Sequence, residues 1–306
     1  MSDGRYVTAE YPVATRIVLF RPDGRLDRVV GRRGEGPGEF QFITAAYIDH
    51  DNRLRIVDVG LRRETVFDDT LGIVDIVRIP ELMVHSVASG PDGSVYYNAD
   101  RRTSEAVGLP IHTIAGGSVT NSFGDETAIQ RPDAPWLGQR AMAPVDGGVW
   151  IARRTHYRLE HWTVDGQRLA AMDRNASWFE PYLMRAPITP GAPPQPWVTA
   201  LQMTRDGVLL VVVTVPASDF PQRLDVLERR PDNVVYDLGD CSAFSDTLIE
   251  AIDPLRHKVL WSWRYKGCLD GLLGDMAYGY RIDDRGVPRI DVFRLTLPLV
   301  EPIDKP

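Results

Sequence analysis

Short runs of alternating apolar and polar residues cover most of the chain, and turn-forming residues separate them. Alternation with a period of two is typical of half-buried β-strands, and Asp-Gly turns between such runs are typical of hairpins. The clearest unit spans residues 44–80. Its four predicted strands are 45–49, 54–59, 63–67 and 73–79.

Comparable four-strand units are predicted at 86–123, 141–173 and 198–265. Their inner turns recur every roughly 40 to 80 residues, near or above the period of a propeller blade. The two ends, 6–31 and 276–297, supply incomplete sets of strands, and propellers normally close by pairing strands from both termini. The predicted fold is therefore an all-β β-propeller with four-stranded antiparallel blades closed in this way. Six blades are favoured, and five is the alternative if both ends share one blade.

Two insertions interrupt the period of a chain that we otherwise interpret as one propeller domain over residues 1–306. They lie at 175–197 and 217–246, and the second contains a predicted short helix at 222–229. Long loops of this kind often carry function, although they also cover the edge of a large fold. Their aromatic residues are the candidate partner contacts: Trp178, Phe179, Tyr182, Trp197, Phe220 and Tyr236.

The glycine-rich stretch 31–40 and the segment after it carry a family resemblance. The sequence Gly31-Arg-Arg-Gly-Glu-Gly-Pro-Gly-Glu-Phe40, followed by Ile56-Val-Asp58 and Val66-Phe-Asp68, resembles the NHL-type repeat of six-bladed β-propellers. The end of the chain is similar to the closing region of bacterial propellers in this group, many of unknown function. The resemblance implies that the glycines serve the link between blades, and that the protein is exported or lipid-anchored.

Overall composition excludes some function classes. The net charge is -7, and no basic run exceeds two residues, so nucleic-acid binding is not predicted. No apolar run approaches the roughly 20 residues that span a bilayer, so no transmembrane segment is predicted. Hydrophobic residues make up 43% of the chain, which is enough for a large core.

Residues with catalytic or metal-binding chemistry form no recognisable motif. A zinc-dependent propeller lyase needs three converging imidazoles, but the six histidines have no repeated place in the blades. Acidic residues are numerous, but most of those with a clear pattern occupy turns. A calcium ion in the channel is therefore the weaker alternative, and a protein without bound metal is favoured. No Gly-x-Ser-x-Gly nucleophile motif is present. We therefore predict no catalytic residue, metal ligand or cofactor.

The two cysteines flank a predicted hairpin that turns at residues 254–257. Antiparallel pairing would place Cys241 opposite Cys268, which makes them a candidate disulfide, with two free cysteines as the alternative. A disulfide favours an oxidising compartment. With the family resemblance, this predicts the periplasm or another extracytoplasmic face. The absence of a signal peptide after Met1 predicts the cytoplasm instead if Met1 is the native start.

The functional prediction is a non-catalytic propeller that binds a protein partner or acts as a scaffold. One form of it is an extrinsic subunit that stabilises a larger membrane-associated complex. The basis is the combination of aromatic, proline-rich insertions with the lack of a catalytic motif. The alternatives are a metal-dependent hydrolase or lyase, and a sensor of small ligands or glycans.

Overall fold

A computed structural model describes residues 3–9, 15–100, 109–124, 135–230, 233–237, 241–283, 285 and 287–296. The described residues form 24 strands, and their only helical segments are two short 3-10 turns at Pro135–Gly138 and Cys241–Ala243. No helix among these residues has the length and apolar character required to span a bilayer.

The first of two compact units contains Met1–Arg140, Pro144–Val149 and His161–Ala170. Three antiparallel sheets lie in it, and each follows chain order. The first sheet consists of β1 (Tyr6–Ala9), β2 (Ile17–Phe20) and β3 (Leu26–Val30). The second consists of β4 (Ile43–Ile48), β5 (Leu54–Asp58), β6 (Arg63–Phe67) and β7 (Ile73–Arg78). The third consists of β8 (Met83–Ser89), β9 (Val95–Asp100), β10 (Ile111–Ala115) and β11 (Ser118–Phe123).

The second unit contains Ala141–Ala143, Trp150–Glu160 and Ala171–Pro306. The sheet of β12 (Arg140–Val145), β13 (Gly148–Arg153), β14 (Arg158–Thr163) and β15 (Arg168–Asp173) contributes residues to both units. The next sheet consists of β16 (Trp197–Met203), β17 (Leu209–Pro216), β20 (Ser245–Asp253) and β21 (Lys258–Tyr265). The last sheet consists of β22 (Gly271–Leu273), β23 (Met276–Ile282) and β24 (Pro288–Arg294), and β18 (Asp225–Arg230) pairs with β19 (Asn233–Asp237) as a separate hairpin.

Central strands of the sheets are the most hydrophobic, because sheets pack against them on both faces. In β17, the sequence Leu-Leu-Val-Val-Val-Thr-Val-Pro is buried at all but two positions. β-branched residues suit such a pleated, buried surface. In the first unit, Ile17 and Leu19 of β2 pack with Leu54 and Ile56 of β5 in one apolar cluster. Packing between neighbouring sheets therefore forms the core of each unit.

Glycine at position 31 is required by the link between the first two sheets. Gly31 has φ of +92°, and a Cβ there would lie 2.7 Å from the ring of Phe40. Any larger residue would clash with this buried ring and strain the backbone. The glycine-rich stretch is thus structural, as the sequence analysis predicted.

Buried carboxylates recur on the third strand of several sheets. In the first unit, Glu64 of β6 accepts hydrogen bonds from Tyr47 (3.1 Å), Arg55 (3.2 Å) and Tyr97. Tyr47 and Arg55 belong to the same sheet as Glu64, whereas Tyr97 belongs to the next. Because a buried carboxylate must be fully hydrogen-bonded, Glu64 fixes the spacing of these two sheets.

The predicted all-β, six-bladed propeller arrangement with mostly four-stranded antiparallel blades is confirmed. The four strands predicted within 44–80 match β4 to β7 closely. The described terminal strands form two three-stranded sheets, β1–β3 and β22–β24. This arrangement agrees with six blades rather than five. The extent of the single domain stays a prediction.

The short helix predicted at 222–229 is wrong. Residues 225–230 form β18 instead, with Val226 opposite Tyr236 and Arg229 opposite Val234. The partner strand β19 contains Val234 and Val235, which favour β-structure. Its pairing with β18 overrides a weak local helix preference.

Candidate functional site

The first insertion folds back over a neighbouring loop in the second unit. We call residues 174–196, between β15 and β16, the strap. In a sheet of alternating strands, the loop after the second strand and the link after the fourth leave from the same end. The strap therefore begins at the same end of its sheet as the loop 154–157, which joins β13 to β14.

Backbone hydrogen bonds join the strap to this loop along its length. The Arg174 amide donates to the Tyr157 carbonyl (2.9 Å), and the Tyr182 amide donates to the Thr155 carbonyl (3.2 Å). Just after the strap, the Val198 amide donates to the Arg154 carbonyl (2.8 Å). Because these groups are satisfied within the protein, the strap has a defined conformation although it lacks regular secondary structure.

Aromatic packing anchors the first half of the strap. The ring of Phe179 is 5.5 Å from that of Tyr157, and the ring of Trp178 is 6.0 Å from it. Phe179 is only 5% exposed. Phe179 therefore holds the strap in place, which differs from the contact role expected from the sequence, whereas Trp178 is half-buried and retains accessible surface.

A buried ionic network lies beneath this packing. Glu250 of β20 accepts hydrogen bonds from the Tyr157 hydroxyl (2.9 Å) and from two guanidinium nitrogens of Arg174 (3.0 and 3.1 Å). Burial, and next the negative charge of Glu250, raise the pKa of Tyr157 well above its ordinary value. Tyr157 is consequently a neutral donor at physiological pH, and the network ties the strap to the neighbouring sheet.

A depression of about 280 Å³ opens beside this network. Its lining includes His156, Asp173, Asn175 and Ser177. The His156 ring lies 3.4 Å from Asp173, which also pairs with Arg158 at 2.7 Å. Apolar residues, among them Phe179 and Pro181, line the depression together with these polar side chains.

The other end of the strap forms a cluster of two arginines around one indole. We call Arg154, Arg185 and Trp197 the arginine–tryptophan cluster. The guanidinium carbon of Arg185 lies 4.1 Å from the Trp197 ring centre, and that of Arg154 lies 5.5 Å from it. Each distance is typical of a cation–π contact. The two positive groups therefore share the same ring.

Electrostatics in this cluster are unusual for a pair of arginines. Burial, and next the positive charge of Arg185, lower the pKa of Arg154 to about 10. Its terminal nitrogen donates to the Val198 and Thr199 carbonyls (3.2 and 2.7 Å), whereas its buried Nε has no acceptor among the described residues. Two positive groups are therefore close together here, and no carboxylate of the described residues pairs with Arg154.

Tyrosines border the cluster. Burial raises the pKa of Tyr182 to about 12, although the nearby Arg185 opposes this rise. Tyr278 of β23 interacts electrostatically with Arg154, and burial is the main cause of its raised pKa. Burial also raises the pKa of the neighbouring Asp270. Tyr278 is nevertheless 38% exposed, so this border of the cluster is accessible to solvent.

The predicted contact residues are thus separated by the structure. Trp178, Phe179, Tyr182 and Trp197 belong to the strap region or its border, whereas Phe220 is half-buried in the second insertion. Tyr236 lies on β19, and its side chain is outside the described residues. Arg154 and Arg185 were missed by the sequence analysis. The available signal was that Arg185 is the single arginine of the aromatic insertion 175–197.

A disulfide tethers the second insertion. Cys241 and Cys268 form a disulfide with their Cα atoms 5.8 Å apart. Beside it, Asp246 receives the Ser218 amide (3.0 Å) and pairs with Arg223 and Arg264 (2.9 Å each). Within the described residues, no three His, Cys, Asp or Glu side chains are grouped so that they would hold a metal ion.

Comparison with known proteins supports the fold. Residues 1–113 match the model of the family DUF5128, described as a 6-bladed β-propeller. No curated protein sequence matches the chain.

Solved structures with a similar fold include two proteins of Bacteroides. A member of the duf4221 family from Bacteroides vulgatus has a TM-score of 0.54 at 7% identity, over 96% of this chain and 93% of that one. A Bacteroides fragilis protein named as a candidate exported protein has a TM-score of 0.52 at 10% identity, over 90% and 78%. Virginiamycin B lyase from Staphylococcus aureus has a TM-score of 0.42 at 11% identity, over 97% and 86%. At these identities the likeness concerns the fold alone.

Proposed function

We propose that this protein is a non-catalytic propeller that binds a protein partner through the strap. The observation that carries the proposal is an exposed pair of apolar side chains beside the arginine–tryptophan cluster. Leu183 is 58% exposed and Met184 is 50% exposed, and Arg185 follows them directly. Interfaces are enriched in methionine, arginine and tryptophan, and a few such residues supply most of the binding energy.

Rigidity of the strap supports the same proposal. The strap is hydrogen-bonded to the loop 154–157 and anchored by the packing of Phe179 on Tyr157. A segment that is already ordered loses less conformational entropy on binding than a flexible loop does. A prearranged aromatic and basic surface is therefore suited to partner capture.

We further propose an extracytoplasmic location, where the protein acts as an extrinsic subunit of a membrane-associated complex. The disulfide between Cys241 and Cys268 supports this location, because such bonds persist mainly in oxidising compartments. A subunit of this kind would contact the complex through side chains on its surface, such as those of the strap.

Membership of the NHL-type group is likewise a proposal. It is supported by Asp58, the last residue of the Ile56-Val-Asp58 motif, which is fully buried. Its carboxylate accepts the amides of Gln41 (2.7 Å), Phe42 (3.0 Å) and Leu61 (3.0 Å). The last residue of the motif thus holds the link that enters the second sheet, which is the role that the resemblance implies for this region.

The strap proposal is tested by changing its exposed side chains without disturbing its anchors. The wild type is compared with the double variant Leu183→Ser/Met184→Ser and with the matched control Leu255→Ser. Leu255 is 60% exposed and lies in the turn between β20 and β21. Each is used as bait in native affinity purification with quantitative mass spectrometry, and binding of the recovered partner is then measured with purified proteins.

We expect the partner to bind the control like the wild type and the double variant at least about tenfold more weakly, as for loss of an interface hot spot. Circular dichroism and the melting temperature verify that all three proteins are folded. If every captured protein binds the double variant and the wild type equally, the strap is not the binding surface and the proposal is wrong.

A further inference from the structure

The arginine–tryptophan cluster differs from the other arginine sites of the second unit. Several arginines there have carboxylate partners: Arg158 with Asp173, Arg174 with Glu250, Arg264 with Asp246, and Arg256 with Asp253. Among the described residues, Arg154 has no such partner: it contacts the backbone carbonyls of Val198 and Thr199 and the Trp197 ring, and it interacts electrostatically with Tyr278. The described part of the chain therefore supplies no carboxylate that neutralises the charge of Arg154.

Geometry at the cluster restricts the kind of ligand. Both guanidinium carbons lie within 5.5 Å of one ring centre, so they are at most 9.6 Å apart, the sum of the two distances. Guanidinium groups bind carboxylates through paired, charge-assisted hydrogen bonds. Two acidic groups of one extended peptide, on alternate residues about 7 Å apart, match a spacing of this size.

The surroundings favour a peptide that is both acidic and apolar. The exposed Leu183 and Met184 precede Arg185, and the half-buried indole of Trp197, the first residue of β16, contacts both guanidinium groups. A purely charged ligand would leave these apolar side chains in water. A segment that carries aliphatic residues beside its acidic pair would cover them while its carboxylates face the arginines.

We propose that the arginine–tryptophan cluster is a binding site for an acidic peptide segment of the partner, whose carboxylates pair with Arg154 and Arg185. This inference rests on the proposed function, since it names the chemistry of the surface that the strap recognises. The lowered pKa of Arg154 is in agreement, because a nearby anion would stabilise its charged form.

Synthetic peptides test the inference directly by fluorescence anisotropy. The first probe is fluorescein-labelled Gly-Glu-Leu-Glu-Leu-Glu with an amidated end. The second carries Gln in place of every Glu and is also amidated, and the third is the Gln peptide with a free C-terminal carboxylate. The protein is the full chain, as wild type and as the variants Arg185→Gln, Arg185→Lys, Arg154→Gln and Arg205→Gln.

We expect the Glu peptide to bind the wild type at least about tenfold more tightly than the amidated Gln peptide, and Arg185→Gln to remove that preference. Arg185→Lys should restore part of the binding, because it keeps the charge and loses the planar contact with Trp197. Arg205→Gln is the matched control, since Arg205 is exposed in the turn between β16 and β17, at the other end of β16 from Trp197.

Arg185 is the deciding position, because Arg154 also donates hydrogen bonds to two backbone carbonyls. The melting temperature of Arg154→Gln measures how far loss of these bonds destabilises the fold. Preference for the free-carboxylate Gln peptide alone would assign the site to a C-terminus and still support carboxylate recognition. Equal binding of the Glu peptide and both Gln peptides, or equal effects of Arg185→Gln and Arg205→Gln, would overturn the inference. The strap proposal is tested separately by the Leu183→Ser/Met184→Ser variant.

Discussion

Asp246 shows how single residues hold the second insertion in place. Its side chain is 1% exposed, and it receives the amides of Ser218 (3.0 Å) and Gly267 (3.3 Å) as well as the guanidiniums of Arg223 and Arg264. Burial alone would raise the pKa of this carboxyl, but the hydrogen bonds from Ser218, Arg264 and Arg223 outweigh burial and lower it. The ionised form is therefore the one that stabilises the fold.

This direction of shift sets the acid sensitivity of the protein. A carboxyl whose pKa is lower in the folded state contributes stability above its unfolded pKa, and the contribution is lost as the pH falls through the folded value. We expect Asp246→Asn to lower the free energy of unfolding by about 3 kcal/mol at neutral pH, because it removes the buried carboxylate charge that pairs with Arg223 and Arg264. The difference from the wild type should shrink below about pH 4.

Urea unfolding of both proteins between neutral and acidic pH measures this prediction. The control is Asp206→Asn, since Asp206 is an exposed residue in the turn between β16 and β17. A difference between Asp246→Asn and wild type that stays constant down to the acidic limit would show that the carboxylate's charge is not what stabilises the insertion.

At the scale of elements, the disulfide links the second insertion to the segment after β21. Cys241 and Cys268 are 27 positions apart, so the bond closes a loop of moderate length around the β20–β21 hairpin. In the chain-entropy estimate, a disulfide that closes a loop of this length raises the free energy of unfolding by about 3 to 4 kcal/mol, because it restricts the unfolded chain. The insertion 217–246 therefore has a covalent tether as well as the Asp246 ion pairs.

We expect reduction, or the double variant Cys241→Ser/Cys268→Ser, to lower stability by about 3 kcal/mol. Thermal unfolding with and without reductant measures it, and free-thiol counting before and after reduction establishes the redox state of the purified protein. Reductant should leave the double variant unchanged, which serves as the control. A wild type with two free thiols and no response to reductant would remove both this prediction and the support for an oxidising compartment.

Strands were predictable from the sequence, because their signals are local. The alternation in 44–80 and the turn residues between its runs identify β4 to β7 almost to the residue. The hairpin of β18 and β19 was not predictable in the same way, since 222–229 is rich in helix-forming residues and only its pairing with 233–237 decides for strand. Local preference is reliable where the chain repeats, and it fails in the insertions.

The candidate site was predictable in composition but not in arrangement. The aromatic insertion identified Trp197, whereas Arg154 lies in a short loop whose sequence carries no special signal. The two meet only because the strap turns back along the loop 154–157. Similarly, the burial of Phe179 follows from its contact with Tyr157, which belongs to another part of the chain.

At the scale of the whole molecule, the chain carries a net charge of -7, and acidic residues outnumber basic ones. The buried acids are nevertheless engaged in protein contacts. Asp49 pairs with Arg55 (2.7 Å), Asp58 receives backbone amides, and Glu64 and Glu250 receive tyrosine hydroxyls and arginines. A calcium site needs several carboxylate or carbonyl oxygens that are not already committed in this way. These four buried acids therefore serve the packing of the blades.

From this we expect that metal removal leaves the protein's stability unchanged. A metal held at 100 times its dissociation constant would add about 2.7 kcal/mol, so its removal would lower the melting temperature by about 5 °C. Protein purified without chelator is divided between EDTA and calcium, and melting temperatures are compared after elemental analysis of the starting material. Equal melting temperatures with only traces of metal support the non-catalytic proposal. A stoichiometric metal whose removal lowers the melting temperature would instead favour a metal-dependent propeller enzyme, because the acids and histidines would then hold an ion in addition to packing the blades.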